Sequence, residues 1–129
     1  MFASQDESIQ ATRDRRGAQR RRVAYRLDVS APSGGGSGCL LDVSATGLRL
    51  RFKGGFDMSA SQALRIDFPR WLELGSGLEV HGRFVWVRQC ETGATEAGFA
   101  FDPLSRKDRN LLELLIQRLA EAVLEDQAA

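Results

Sequence analysis

The chain has 129 residues and a formal net charge of +1, which suits one domain with its own hydrophobic core and excludes a strong overall electrostatic field. Its two cysteines, Cys39 and Cys90, lie far apart, so we expect reduced, buried thiols and no disulfide framework. No apolar run approaches the roughly 20 residues of a membrane span, and no signal peptide is recognisable, so we expect a cytoplasmic protein without membrane insertion.

Arginine is concentrated at the N-terminal end. Residues 1–26 contain seven arginines against three acidic residues, and the run RRGAQRRR at residues 15–22 is the densest part. Residues 1–14 are polar without a hydrophobic period, so we interpret them as a mobile tail that precedes a domain over residues 15–126. Alternation and β-branching predict a first strand at residues 23–29, followed by a flexible glycine- and serine-rich connection at residues 30–38.

The next segments alternate apolar and polar side chains with a period of two, which is typical of strands with one buried face. Further strands are predicted at residues 39–41, 48–53, 64–68, 71–74, 78–88 and 98–101. In the long strand Phe84, Trp86 and Arg88 share one face, and the pattern alone does not say whether that face is interior. Six or seven short strands with turns between them predict a mainly β fold, an antiparallel barrel or sandwich, and we expect the barrel, over about residues 23–102.

The period then changes to that of a helix. Ser105 and Asp108 resemble a helix-capping pair, and leucines recur at helical spacing, so we predict a helix at residues 105–126. Its apolar sector is broader than one small barrel would cover. We therefore expect a homodimer that forms through this helix.

Residues for catalysis are scarce. His81 is the only histidine, it lies mid-strand without a surrounding motif, and its expected place is the surface or the edge of the core. The cysteines and this histidine lack zinc-ligand spacing, and no phosphate-binding glycine loop occurs in a strand-to-helix context. The sequence therefore predicts neither an enzyme nor a metal site.

Binding of an anionic ligand is better supported. Arg16 and Arg20 stand four residues apart, and several guanidinium groups can hold phosphates or the O6/N7 edge of guanine. In the turn at residues 42–47, Asp42 can accept from guanine N1–H and N2–H₂, and Ser44 can bond a phosphate oxygen or the turn backbone. Gly47 can adopt a positive φ where the chain reverses. From these residues alone, an ordinary polar turn beside a solvated arginine run is equally favoured.

Three segments, in this order, carry a family resemblance. They are an RxxxR pattern, the DxSxxG pattern within DVSATGLRL at residues 42–50, and GRFVWVRQ at residues 82–89 followed by GFAFDPLSRKDRNLLELL at residues 98–115. Over roughly residues 15–120 the chain resembles the PilZ domain, a bacterial receptor domain for cyclic di-GMP. The resemblance implies a split-barrel type of fold with a C-terminal helix.

The resemblance also implies site residues. In the family, the two arginines of the first motif clasp phosphates and guanines, the Asp and Ser of the second motif bind a guanine and support the turn, and an Arg two residues past the Gly contributes. The positions implied here are Arg16, Arg20, Arg22, Asp42, Ser44, Gly47 and Arg49, with Trp86 as a residue that stacks on a base. Either Arg16 and Arg20 match the first motif, or Arg22 takes its second position and places Ala18 in the first.

The resemblance implies a receptor that binds one or two cyclic di-GMP molecules, orders its arginine-rich segment and signals to a protein effector. Such signals control motility, pili or exopolysaccharide and biofilm. The alternative is a degenerate PilZ adaptor that contacts proteins without binding nucleotide. Binding of RNA or single-stranded DNA by the arginine segment is a less favoured interpretation, so we expect no nucleic-acid partner.

Overall fold

The structure is a computed structural model that describes residues 21–22, 26–32, 36–58 and 61–128. These ranges contain seven strands, a short 3-10 helix and a long α-helix. In chain order they are β1 (Arg21–Arg22), β2 (Asp28–Ser30), β3 (Ser37–Val43), β4 (Gly47–Phe52), β5 (Gln62–Asp67), the 3-10 helix (Arg70–Leu72), β6 (Gly77–Gln89), β7 (Thr95–Phe101) and α1 (Arg106–Ala128).

The strands form one antiparallel sheet that closes into a barrel. Its order is β1, β3, β2, β5, β6, β7 and β4, and a further pairing of β3 with β4 closes the sheet on itself. Six strands, β2 to β7, thus close the barrel, and β1 pairs with the part of β3 that β2 leaves open. The predicted mainly β barrel with a C-terminal helix is confirmed.

Side-chain alternation separates the core from the outer face as predicted for β4. Leu48, Leu50 and Phe52 are buried there, whereas Arg49 and Arg51 are partly exposed. Each pair of neighbours on a strand points to opposite faces, so the arginines must lie on the outer surface when the apolar residues fill the barrel. β4 therefore presents its basic side chains to solvent.

Helix α1 packs one apolar stripe on the barrel. Leu112, Leu115 and Leu119 are buried in the common core, and the helix contacts β1 and β6. The Asp108 N–H donates to Ser105 Oγ at 3.1 Å, which satisfies an orphan donor of the first turn and confirms the predicted cap. Leu114 lies outside the packed stripe and is 43% exposed.

Two sequence predictions about strands were wrong in part. The strand predicted at residues 71–74 is absent, because the chain after Pro69 forms the 3-10 helix, which ends at Glu73 in a left-handed conformation with φ of 57°. The predicted first strand is replaced by β1 and β2, while residues 26–27 form no strand and residues 23–25 lie outside the described residues. Short pairings with β3, rather than local propensity, set these boundaries.

The long strand β6 contains a feature that alternation could not reveal. Its register against β7 shifts between Phe84 and Trp86, so Val85 is an extra residue in a β-bulge. Phe84 pairs with the buried Phe99, whereas Trp86 pairs with Gly98. The expectation that Phe84 and Trp86 share a face is therefore wrong, because the bulge turns Trp86 to the outer face.

The two cysteines are free, as predicted, but both are partly exposed rather than buried. Cys39 lies on the outer face of β3 opposite Arg51, and Cys90 begins the turn between β6 and β7. Among the residues that the structure describes, no helix has both the length and the apolar character of a membrane span.

Candidate functional site

The turn from Asp42 to Gly47 joins β3 to β4 and is held by its own polar groups. The Ser44 N–H donates to the Gly47 carbonyl oxygen at 2.8 Å. Ser44 Oγ also accepts a hydrogen bond from the Thr46 N–H at 3.3 Å, and Ser44 is only 1% exposed. Of the two roles predicted for Ser44, these bonds correspond to support of the turn backbone.

Gly47 is required for a different reason from the one predicted. Among the described glycines, those with positive φ are Gly36, Gly54, Gly75 and Gly93, so the expected left-handed conformation at Gly47 is wrong. A Cβ at Gly47 would instead lie 2.6 Å from the Phe99 carbonyl oxygen on β7. Glycine is needed here because two backbones approach closely where β4 begins.

Asp42 and Arg49 face each other across β3 and β4. Arg49 Nε donates to Asp42 Oδ2 at 2.9 Å, and the side chains are 29% and 6% exposed, respectively. A bulge in β3 between Leu40 and Asp42 sets this register. In this pair only Arg49 is substantially open to solvent. Its guanidinium N–H groups can therefore bind a ligand, and the Asp42 carboxylate lies beneath them.

The arginine-rich segment reaches this pair through its last residue. Arg22 in β1 pairs in antiparallel register with Asp42, which brings the backbone of the first predicted motif against the second. Arg16 and Arg20 lie outside the described residues.

Trp86 lies on the same outer surface, on the far side of β7. A Cβ built on Gly98 would be 2.1 Å from the Trp86 indole Nε1, so the ring lies directly over this glycine. Gly98 itself pairs with Arg49 on its other side. Gly98 was not predicted as a site residue, although a glycine within a strand often marks such a close approach.

These residues form one line across five strands. In cross-strand register the line runs Arg22, Asp42, Arg49, Gly98 and Trp86, and we call it the motif row. It combines a carboxylate, a guanidinium group and an aromatic ring over a stretch of backbone. Such a surface can bind a planar base by stacking and hydrogen bonds and a phosphate by charge.

A second line, two residues further along β4, β7 and β6, is centred on Glu96. It consists of Arg51, Glu96 and Arg88, and we call it the glutamate row. Arg51 Nη2 donates to Glu96 Oε2 at 2.9 Å, and Arg88 Nη2 donates to Oε1 at 2.7 Å. Arg49 of the motif row also approaches Oε1, at 3.8 Å.

Glu96 is ionised in spite of its burial. Burial by itself raises the pKa of this carboxyl, but the hydrogen bonds from Arg51 and Arg88 and the field of Arg49 outweigh it and lower the pKa below its ordinary value. Glu96 was not predicted as a site residue, because this strand was expected to begin only at Gly98, whereas β7 begins at Thr95. Its alternation with Ala97 and Gly98 could have placed it on the outer face.

The His81 side chain is 66% exposed at the surface, with Nε2 3.3 Å from a Glu79 carboxylate oxygen. No group of three or more histidine, cysteine or acidic side chains within the described ranges is arranged to hold a metal.

Solved structures with a similar fold include three bacterial proteins. They are the PilZ domain of YcgR from Escherichia coli with c-di-GMP (TM-score 0.71, 12% identity, 89% of this chain and 98% of that one), the Bacillus subtilis inhibitor of motility MotI (0.65, 18%, 87% and 52%) and the K. pneumonia MrkH–c-di-GMP complex (0.65, 14%, 89% and 55%). The chain thus spans nearly all of the isolated domain but about half of MotI and MrkH.

No curated protein matches this chain significantly in sequence. The family model of the PilZ domain, however, matches residues 14–118, which is most of the chain. Together with the barrel, its terminal helix and the turn at Asp42, this match identifies the chain as a member of the PilZ domain family.

Proposed function

We propose that this protein is a cyclic di-GMP receptor that converts ligand binding into a changed surface for a protein effector. The observation that carries the proposal is the motif row, in which Asp42, Arg49 and Trp86 lie in register on one face. The backbone of Arg22 pairs at its end, so the arginine-rich segment leads directly onto this face.

Each residue of the row has a distinct part in recognition. Asp42 accepts hydrogen bonds from guanine N1–H and N2–H₂, and Arg49 binds a phosphate or the O6/N7 edge. Trp86 stacks on a base, which is worth about 1–3 kcal/mol per base. Arg22, with Arg16 and Arg20, closes over one or two ligand molecules, while Ser44 and Gly47 hold the shape of the turn.

Proteins of similar fold support the choice of ligand. The YcgR domain and MrkH are both described in complex with c-di-GMP, and MotI is described as an inhibitor of motility. The family resemblance of the two motifs points to the same ligand. We therefore propose a cytoplasmic signalling role in motility, pili or exopolysaccharide and biofilm formation.

Signalling would pass through β1. This strand pairs with Asp42 and also contacts α1, so it connects the motif row to the helix. We propose that the ligand orders residues 15–22 against the barrel, with arginine–phosphate contacts opposing an entropy cost of about 1–2 kcal/mol per residue.

Trypsin digestion tests this step, since cyclic di-GMP should protect Arg15 to Arg22 from cleavage. Unchanged cleavage at saturating ligand would contradict it.

Calorimetric titration at low salt tests the receptor function. Wild type should bind cyclic di-GMP, and Asp42→Asn should bind at least tenfold more weakly, because hydrogen bonds to charged groups contribute about 1.5–3 kcal/mol. Asp67→Asn is the matched control, since Asp67 also pairs with an arginine but lies on β5. Undiminished binding by Asp42→Asn at an unchanged melting temperature would refute the assignment of this site.

The second candidate function is a PilZ adaptor that binds proteins but no nucleotide. It is favoured by the burial of Ser44 and Asp42, at 1% and 4% exposure, because both already serve the fold without a ligand. The same titration separates the two functions. A flat trace for folded wild type would leave the adaptor as the better proposal.

A further inference from the structure

Glu96 holds arginines from the two neighbouring strands, β4 and β6, although it belongs to neither predicted motif. Its side chain is 7% exposed, and it contacts Arg51 on β4 and Arg88 on β6 through different carboxylate oxygens. A carboxylate buried this far is stable only when paired, and one arginine would suffice for its charge. The second arginine therefore leaves positive charge available at the surface.

The two arginines are both fixed and accessible. Their side chains are 50% and 64% exposed, and each uses one terminal nitrogen on Glu96. A guanidinium group has five N–H donors in a planar fork, so the donors not directed at Glu96 can face solvent. Because Glu96 limits their rotation, less conformational entropy is lost when Arg51 and Arg88 bind an anion.

The position of the glutamate row relates it to the proposed ligand site. Arg51, Glu96 and Arg88 lie two residues along their strands from Arg49, Gly98 and Trp86, respectively. Two residues of a strand span about 6.5–7 Å, which is within the reach of an arginine side chain. A cyclic dinucleotide on the motif row would thus bring a phosphodiester close to the second row.

We propose that Arg51 and Arg88 extend the ligand site as phosphate-binding residues and that Glu96 is the positioning residue that holds them. This inference rests on the proposed cyclic di-GMP function and adds a part of the site outside both sequence motifs. The ligand class for the row is the phosphodiester group of the bound dinucleotide.

The test of the two arginines is titration of cyclic di-GMP into Arg51→Gln and Arg88→Gln at low and moderate salt. Each variant should bind about fivefold more weakly than wild type at low salt, because a charge-assisted hydrogen bond is lost, and the dependence on salt should become shallower. Arg65→Gln, which removes a strand arginine paired to a carboxylate on β5, should bind like wild type. The proposal would be overturned if Arg51→Gln and Arg88→Gln bound cyclic di-GMP as tightly as Arg65→Gln does.

Glu96→Gln tests positioning separately from charge. It makes the site one charge more positive, so a purely electrostatic effect would strengthen binding, whereas loss of positioning should weaken it about threefold or more. Tighter or unchanged binding in the folded variant would overturn the role of Glu96. If Glu96→Gln does not fold, the two arginine variants still decide the phosphate contacts.

Absence of binding by wild type would overturn both this inference and the proposed function. Binding by wild type together with unaffected binding by the variants would overturn this inference alone.

Discussion

Two arginine–carboxylate contacts on the outer face of the barrel differ in how they are built. On β5, Arg65 and Asp67 are neighbours on one strand, and their side chains are 37% and 51% exposed. In the glutamate row the carboxylate is 7% exposed and its arginines come from different strands. The first contact needs only an extended segment, whereas the second forms only when β4, β7 and β6 are in register.

This contrast shows which surface charges depend on the fold. An exposed ion pair contributes about 0–1 kcal/mol to the free energy of unfolding. It can form on any strand, so its presence says little about function. The Glu96 contacts, by contrast, depend on the bulge that places Trp86 and Arg88 on the outer face. Changes in this region should therefore affect stability and ligand binding, while equivalent changes on β5 should not.

The largest effect on stability is expected for Gly98→Ala. The new Cβ would lie 2.1 Å from Trp86 Nε1, so the indole must leave its place over β7, at a cost of about 2 kcal/mol. Chemical denaturation should show this loss, and in a Trp71→Phe background the emission of Trp86 should shift to the red. Gly55→Ala is the control, because nothing lies within 4 Å of a Cβ there. An unshifted spectrum would mean that the ring does not depend on Gly98.

Trp86→Ala is expected to weaken binding of cyclic di-GMP by about tenfold, or about 1.4 kcal/mol, because a stacking surface is removed. Trp71→Ala is the matched control, since Trp71 is 45% exposed and lies in the 3-10 helix, outside the motif row. Calorimetric titration of both variants measures the difference. Equal affinities would remove Trp86 from the proposed site.

Glu96→Gln is expected to destabilise the protein by about 1 kcal/mol at neutral pH, a modest loss because Arg51 and Arg88 can turn to water. The pKa of Glu96 is lowered from its ordinary 4.5, so its ionised contacts stabilise the fold above that value and are lost as the pH falls through the lower folded-state pKa. Thermal denaturation from pH 7 down to about pH 3 should therefore show the wild-type advantage shrinking. Asp67→Asn should differ little from wild type throughout, and a constant advantage of wild type over Glu96→Gln would contradict the ionised network.

The smallest effect concerns α1, for which we predict self-association. Leu114 is a large apolar side chain of α1 that lies outside the packed stripe, at 43% exposure. Leu114→Glu should weaken a homodimer in sedimentation experiments and change stability by no more than about 0.5 kcal/mol, as is usual for surface substitutions. Glu113→Gln on the same exposed side serves as control. A wild type that stays monomeric at all concentrations would refute the prediction.

Much of the fold was predictable because its patterns are local. The alternation of β4, the long strand β6 and the capped helix α1 follow from residues close together in sequence, and the structure confirms all three. The turn at Asp42 was found in the same way. The predicted strand at residues 71–74 failed, because Pro69 starts a helical turn that the apolar pattern does not distinguish from a strand.

The barrel class, the terminal helix and the turn that contains the second motif were predictable from the sequence, because they depend on period, capping and turn chemistry. The three-dimensional arrangement was needed to show that Trp86 faces outward, that Gly47 and Gly98 lie where backbone or ring approaches closely, and that Glu96 binds arginines from two neighbouring strands. A bulge and a strand register are set by pairing between segments far apart in the chain, so no local pattern contains that information.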